Sequence, residues 1–500
     1  MDWTKPGSFS SGRDPLGFQA ASVRLYTSLV PGLTNVTNRL RYYSYYCWVL
    51  WQFEQLHHSS REDRWIEFIR RAEYVFALAC QVGDRDNATG MAGSDWAGTQ
   101  ANRAELDVFD LISPTDRPGK DGQYLKAKYG NFGQFYVASM LEMEMISQLS
   151  GRIYGVTAGV GRPMAQAVQD ENGPACNLVM NAIERGSVSR SDCVRISDAL
   201  HPANIIGTSQ EAALLRVFLE GGREDDRTGL QRRISLKNVL TVVSGDTNRL
   251  ELRAGLYAQD WRSDGATGYD DNLNSWRAYF VNEFCHIALE VWLNAVVGVA
   301  NGGSALPVSE IARRIASKAV GEKSSTVREL ADSLALSTFA EEDELASSLE
   351  DVASTKGMPD DEAIMGAATM ILSMWHRWRN ETEVRKALSR ATVEGRSAEG
   401  LFQFLDRVGS TGALEALTAL IGKFVIANHL VIAGHKLATG GRLTYRFALE
   451  DGCIVDGEFG EYTFTTPRIF NLLTFARDAL LVESDSDTLT DAGKEFLRAA

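Results

Sequence analysis

The chain has 500 residues, 44% of them hydrophobic, and a formal net charge of −14. That length exceeds what a single hydrophobic core serves, so about two to four structural units are expected, and the composition excludes wholesale disorder. The acidic balance excludes a surface that grips phosphate along its whole extent and leaves room only for a local basic patch.

In chain order, the opening "MDWTKPGSFSSGRDPLG" lacks a basic start followed by an apolar run and does not read as a secretory signal. Residues 14–30 read as a short helix closed by "PGLTN". Thr34 and Thr37 then offer caps to "NRLRYYSYYCWVLWQFE", where ten of the twelve side chains from Tyr42 to Phe53 are Tyr, Cys, Trp, Val, Leu or Phe. Its rings point all around a helical wheel, and a helix apolar on every side is buried or covered by a partner. A base-stacking platform would keep its rings on one exposed face beside basic groups. Tyr42, Tyr45, Trp48 and Trp51 are therefore assigned to core or subunit interface, with Asn38, Arg39 and Ser44 as a polar rim for the hydroxyls. Residues 61–82 repeat Trp65, Ile66, Phe68, Ile69, Ala72, Val75, Phe76 and Ala79 at helical spacing. Residues 83–100 read as a loop, and 132–149 as a helix with Phe135, Ala138, Leu141 and Met145 on one face; this completes a first unit, 1–150.

A second unit, 151–303, opens on "GVTAGVGRP", which lacks the Gly-Lys-Ser/Thr ending of a phosphate loop and reads as a linker. Helices at 210–220 and 230–244 precede a long apolar helix, 272–299, which "NGGSALP" terminates. A third unit, 304–440, is Ala-rich and helical: Ser309 caps its first helix, 341–362 is acidic and exposed, and 364–378 and 413–432 are buried helices. The apolar stretches 284–300 and 412–434 carry Glu290, and Glu415, Lys423 and His429, respectively, which favours soluble core helices over membrane spans. In a last unit, 441–500, strand-like runs at 443–449 and 453–459 flank "EDG". Thr466 and Pro467 then start a helix, and residues 481–490 form a hairpin before a final helix capped by Thr490. The expected fold is mainly α, multi-unit, with a small C-terminal α+β module.

Few residues announce a chemistry. The six cysteines, Cys47, Cys80, Cys176, Cys193, Cys285 and Cys453, are scattered without a C-x-x-C, which argues against a zinc ribbon or disulfide framework and for a reducing cytoplasm. Two Glu-x-x-His pairs, Glu54/His57 and Glu283/His286, match half of a di-metal carboxylate site. Such a site needs two further glutamates; Glu142 or Glu144 offers one and no fourth stands out. Cys285 and His286 are sequence neighbours, which diverge on a helix, and there is no Gly-x-Ser-x-Gly elbow. No catalytic residue, metal ligand or cofactor is assigned. Candidate phosphate contacts are Lys120, Lys126 and Lys128, Arg232 and Arg233, and Arg468 and Arg477 on the helix after Pro467.

The order strand, helix, hairpin, helix with "LTDAG" after the hairpin resembles a winged-helix domain, and that resemblance implies duplex DNA contact through the helix bearing Arg468 and Arg477. The blocks "DPLGFQAASVRLYTSLVPGLTNVTNRLRYYSYYCWVLW" and "WRAYFVNEFCHIALEVW" resemble uncharacterised helical accessory subunits of bacterial multi-gene antiphage systems. That resemblance implies an adaptor working with an ATPase related to chromosome-maintenance proteins and with a nuclease. It carries over no catalytic residue. The alternative is a metal-dependent enzyme whose carboxylate/His site is assembled from distant helices.

Overall fold

The computed structural model describes residues 14–34, 36–37, 39–56, 61–84, 93–116, 123–207, 209–220, 227–244, 251–258, 269–303, 305–321, 325–440, 443–465, 467–484, 486 and 488–498. The protein is mainly helical, with three small antiparallel sheets among the described residues. It parts into two compact units, Met1–Leu29 with Leu250–Thr466 and Val30–Arg249 with Pro467–Ala500. The chain thus changes unit at 29/30, 249/250 and 466/467, not at the boundaries of the four segments read from sequence. The expected C-terminal module, 441–500, gives its strands to one unit and its helices to the other.

The first unit is built on one helix, Tyr269–Ala300, 32 residues long. Trp276, Phe284, Ile287, Leu289, Trp292 and Val296 on it are all fully buried. They are covered by the unit's helices Gln19–Leu29, Val308–Val320, Phe339–Ala353, Asp361–Trp378 and Thr382–Ala391. Burial of each such side chain stabilises by about 1.5–3 kcal/mol, and this is a core helix. Capping boxes start two of the unit's helices: Thr326 with Glu329, and Thr338 with Glu341. The acidic segment expected to be exposed therefore begins as the helix Phe339–Ala353. It buries Glu342, whose carboxylate accepts from Arg377 Nε at 2.6 Å and Tyr257 OH at 2.7 Å. Ser309 is not the cap of Val308–Val320; Pro307 holds that position. In the unit's sheet, Cys453–Gly457 lies between Leu306–Pro307 and Phe447–Glu450. Asp451 and Gly452 join the hairpin with φ of 50° and 77°, the left-handed pair that a two-residue Asp-Gly turn supplies.

In the second unit the helix Arg41–Leu56 packs on Glu62–Gly83 and Gly161–Arg185. Three expectations change here. Part of the expected loop at 83–100 is a helix, Ser94–Ala101. The expected helix 132–149 starts as a π-turn, Phe132–Tyr136, and continues as Val137–Glu142. It stops where Glu144 takes a φ of 54°, and the chain enters the hairpin Ile146–Ser150/Ile153–Val156. The periodic Met145 misled because it is buried just beyond the helix; Gly151, at φ 55°, and the β-branched residues around it were the competing signal. The Gly-rich "GVTAGVGRP" is not a linker either: Gly155 and Val156 are in the hairpin, and Thr157 Oγ1 accepts from Gly161 N at 3.1 Å where the next helix begins.

Candidate functional site

A row of buried polar and titratable groups lies on one face of Tyr269–Ala300. Glu283, His286, Glu290 and Asn294 recur at spacings of three or four, with Asn282 four before His286, so they line one side of the helix. All are buried, and burying polar groups costs free energy unless they are paired. Most are. Glu283 accepts from the Ser22 hydroxyl and from Thr465 N at 2.5 Å. Asn282 donates to Phe18 O at 3.1 Å and Ser22 Oγ at 2.8 Å, and accepts from Ala398 N at 2.9 Å. Asn294 exchanges a reciprocal pair with Gly460, 3.0 and 2.9 Å. The side chains therefore tie the N-terminal segment, the 398 helix start and the 460–465 strand exit to one helix.

His286 sits within this row. Its Nε2 is 2.9 Å from Glu290 Oε1 and its Nδ1 is 3.9 Å from Glu283 Oε1. Neither nitrogen nor either Glu290 oxygen is aligned with a hydrogen-bonding partner, so the attraction is ionic. Burial works against the imidazolium, but Glu290, Glu283 and Asp14 overcome it and hold its pKa up at about 9. Burial pushes the Glu290 carboxyl up, against the pull of His286. Nearby, His429 is neutral: burial, with Arg446 and Lys436, lowers its pKa to about 4. It accepts from Arg446 N at 2.8 Å, and its other nitrogen is 3.2 Å from Pro15 O. A histidine between two carboxylates is suited to proton transfer in principle, but acid–base catalysis requires hydrogen-bond reach to a substrate. At 0–1% exposure, Glu283, His286 and Glu290 do not meet solvent.

The aromatic helix Arg41–Leu56 is buried along most of its length. Tyr42, Tyr45 and Trp48 are at most 2% exposed and are covered by the unit's own residues; Trp51 is half-buried. Tyr45 stacks on Phe76 at 4.2 Å, and Tyr42 meets Phe76 and Tyr136 at 5.1 and 5.4 Å. These three rings are core, not contact surface, because no face of them is left for a partner. The hydroxyl of Tyr45 donates to Ala72 O and that of Tyr46 to Glu73, at 2.8 and 3.0 Å, while Trp48 donates to Gln169 at 2.9 Å. The expected polar rim does different work. Arg39 pairs with Asp478 at 3.1 Å, Ser44 donates to Glu211 at 2.6 Å, and Asn38 lies outside the described residues. Sequence reasoning missed Arg41, Arg70, Glu73 and Glu211. Arg70 is fully buried and donates to the carbonyls of Thr115, Leu125 and Ala127 at 3.0, 2.9 and 2.5 Å. Glu73 accepts from Asn131 N at 3.0 Å and Phe132 N at 2.6 Å, and burial raises its pKa to about 7. A charged residue recurring inside the buried stripe was the available signal.

The candidate phosphate contacts are dispersed in character. Lys126 and Lys128 are exposed, with Lys128 paired to Glu62 at 2.8 Å. Arg232 is not a surface group: it is 2% exposed and donates to Pro31 O at 3.1 Å. Arg233, Arg468 and Arg477 are half-buried, and Lys120 lies outside the described residues. The helix Ile469–Asp478 buries Ile469, Leu472, Leu473, Phe475 and Ala476 in the second unit, with Phe475 5.8 Å from Tyr43. Of the Glu-x-x-His pairs, His57 lies outside the described residues, and Glu54 accepts from Val156 N at 2.8 Å. Glu142 and Glu144 are exposed. No three His, Cys, Asp or Glu side chains form a metal-holding group among the described residues. Compared with protein-family models, curated proteins and solved structures, the chain matches none.

Proposed function

We propose that this chain is a non-catalytic helical adaptor in a bacterial antiphage complex of the cytoplasm, acting beside an ATPase and a nuclease. One observation carries the non-catalytic part: the Glu283–His286–Glu290 row is sealed from solvent, and its neighbours' hydrogen bonds join separate segments of the chain. Five of the six thiols are likewise buried. Burial raises the Cys176 and Cys193 thiols to about 12, far from the thiolate a nucleophile needs. The setting comes from the two sequence blocks that resemble accessory subunits of such systems. Contact with duplex DNA enters through Lys126, Lys128, Arg233, Arg468 and Arg477; the antiparallel bridge Val482↔Leu489 and the Thr490-capped last helix support the winged-helix likeness.

The test is co-purification of the tagged full chain with the products of neighbouring genes. A stable complex is expected, and a chain that stays alone supports neither adaptor nor complex. The competing reading, a metal-dependent enzyme, is favoured by the unaligned ring nitrogens of His286 beside Glu290. Stoichiometric iron, manganese or zinc in protein from metal-supplemented culture would establish it over the adaptor.

A further inference from the structure

The first unit contains a second long apolar helix. It runs Ala413–Leu420, Ile421–Ala427 and Asn428–Gly440 without a break, and its middle section is a π-helix. The stretch is as hydrophobic as a membrane span but only 50% buried. Its inner side is conventional core, with Leu417, Leu420, Phe424, Val425, His429 and Ala433 buried. Its outer side is ordered: Glu415, Ala419, Lys423, Ala427, Val431 and His435, every fourth residue, are all exposed. In a regular α-helix such a row drifts around the axis by about 40° per step and soon turns inward. The wider π-turn in the middle takes up that drift and keeps the row on one side for roughly 30 Å.

The order of side chains along the row is self-complementary. Turn a second copy end to end about a two-fold axis at Val425, and Glu415 meets His435, Ala419 meets Val431, and Lys423 meets Ala427. An acid faces an imidazole and a small side chain faces a large one at each end, as an isologous contact requires. The two Lys423 groups near the axis do not collide, because each ammonium lies over its own chain's rings, 4.9 Å from Phe424 and 5.7 Å from Phe404. We propose that this face is a two-fold, antiparallel self-association surface, its occupant a second copy of the same helix. The contact is independent of any heterologous complex. A single helix pair of this length buries well below the roughly 1,600 Å² of a standard interface, so the dimer is weak and concentration-dependent.

The experiment uses the full chain in a Cys453→Ser background, with Ala419→Cys and Val431→Cys made separately. Mild oxidation of the mixture is expected to give a covalent dimer, while each variant alone gives none. Light scattering of the unmodified protein is expected to show a monomer–dimer equilibrium. Val431→Glu, at a position 56% exposed, is expected to weaken it at least roughly tenfold with an unchanged circular dichroism spectrum. The cross-linking arm stands whatever the fate of Val431→Glu. A chain monomeric at every concentration overturns the proposal. So does cross-linking of each variant with itself as readily as with the other, or a monomer that instead binds phospholipid vesicles through this helix.

Discussion

Replacing Glu211 with Ala tests how the second unit is held. Glu211 lies in the first turn of the helix Gln210–Glu220, and its oxygens accept from Arg41 Nε at 3.1 Å and Nη2 at 2.8 Å. The guanidinium also donates to Ala199 O at 2.8 Å and His201 O at 2.9 Å, so it cannot swing out without losing both. The two side chains are 4% and 2% exposed. Removing the carboxylate leaves a buried cation without its counter-charge and the Ser44 hydroxyl with only Arg41 O, 2.9 Å away, as acceptor, a loss of about 3–5 kcal/mol. For a unit of this size that lowers the unfolding midpoint by roughly 6–20 °C. Differential scanning calorimetry reads the midpoint, and hydrogen exchange at the amides of Tyr45–Trp48 assigns it to this unit. The double variant Arg41→Met/Glu211→Leu should recover most of the loss, because the shape is kept and neither charge remains. A Glu211→Ala protein within about 1 kcal/mol of wild type, or a double variant as unstable as the single, would refute the reasoning.

Glu73 makes a pH prediction. Its folded pKa is raised by burial to about 7, so the folded chain holds a proton that the unfolded chain has released. Stability from this group is full below the ordinary carboxyl range and is lost as pH rises through 7, by roughly 3 kcal/mol at most; urea titrations from pH 5 to 8 should show the slope, and Glu73→Gln should flatten it. His286, held up at about 9, contributes stability that is full below its ordinary pKa and is lost as pH rises through 9. His286→Gln should therefore lower the stability of the first unit at neutral pH and remove its fall toward pH 9, and a fall as steep as in the unmodified chain would count against the ionic row. Arg70→Ala should speed exchange at the amides of Tyr124 and Gly130 by at least tenfold in mass-spectrometric exchange, since their turns are anchored through its carbonyl contacts. Iodoacetamide should modify one thiol, Cys453, in the native chain and six after unfolding.

The helices were legible where apolar spacing was strict: Glu62–Gly83 and Asp361–Trp378 fall close to the segments read from sequence. The hairpin at Asp451–Gly452 was legible for a different reason, since that dipeptide favours the left-handed turn. Pairings across long separations were not. Arg41 finds Glu211, and Ser22 finds Glu283, over 170 and 261 residues, and no local pattern encodes such partners. The same holds for Gly161–Arg185, whose internal Pro174 and non-helical Asn172 interrupt the signal of a helix that nevertheless persists around a kink. The Glu283/His286 pair was read correctly as sharing a helix face. Glu290, one turn on, completes the row but was noted only as a charge in an apolar run.

Because each unit is stitched from an early and a late stretch of chain, a ribosome completes neither until it has passed residue 450. The helix Gln19–Leu29 emerges long before Tyr269–Ala300, against which it packs, and Tyr43 waits for Phe475. During synthesis the Tyr- and Trp-rich helix Arg41–Leu56 is thus available but incompletely covered, a state that invites chaperones and aggregation. Truncations intended to isolate a terminal module would strand half of a core on each side of the cut. Linking residues 1–29 to 250–466, and 30–249 to 467–500, makes each unit continuous and is the cleaner route to producing them apart.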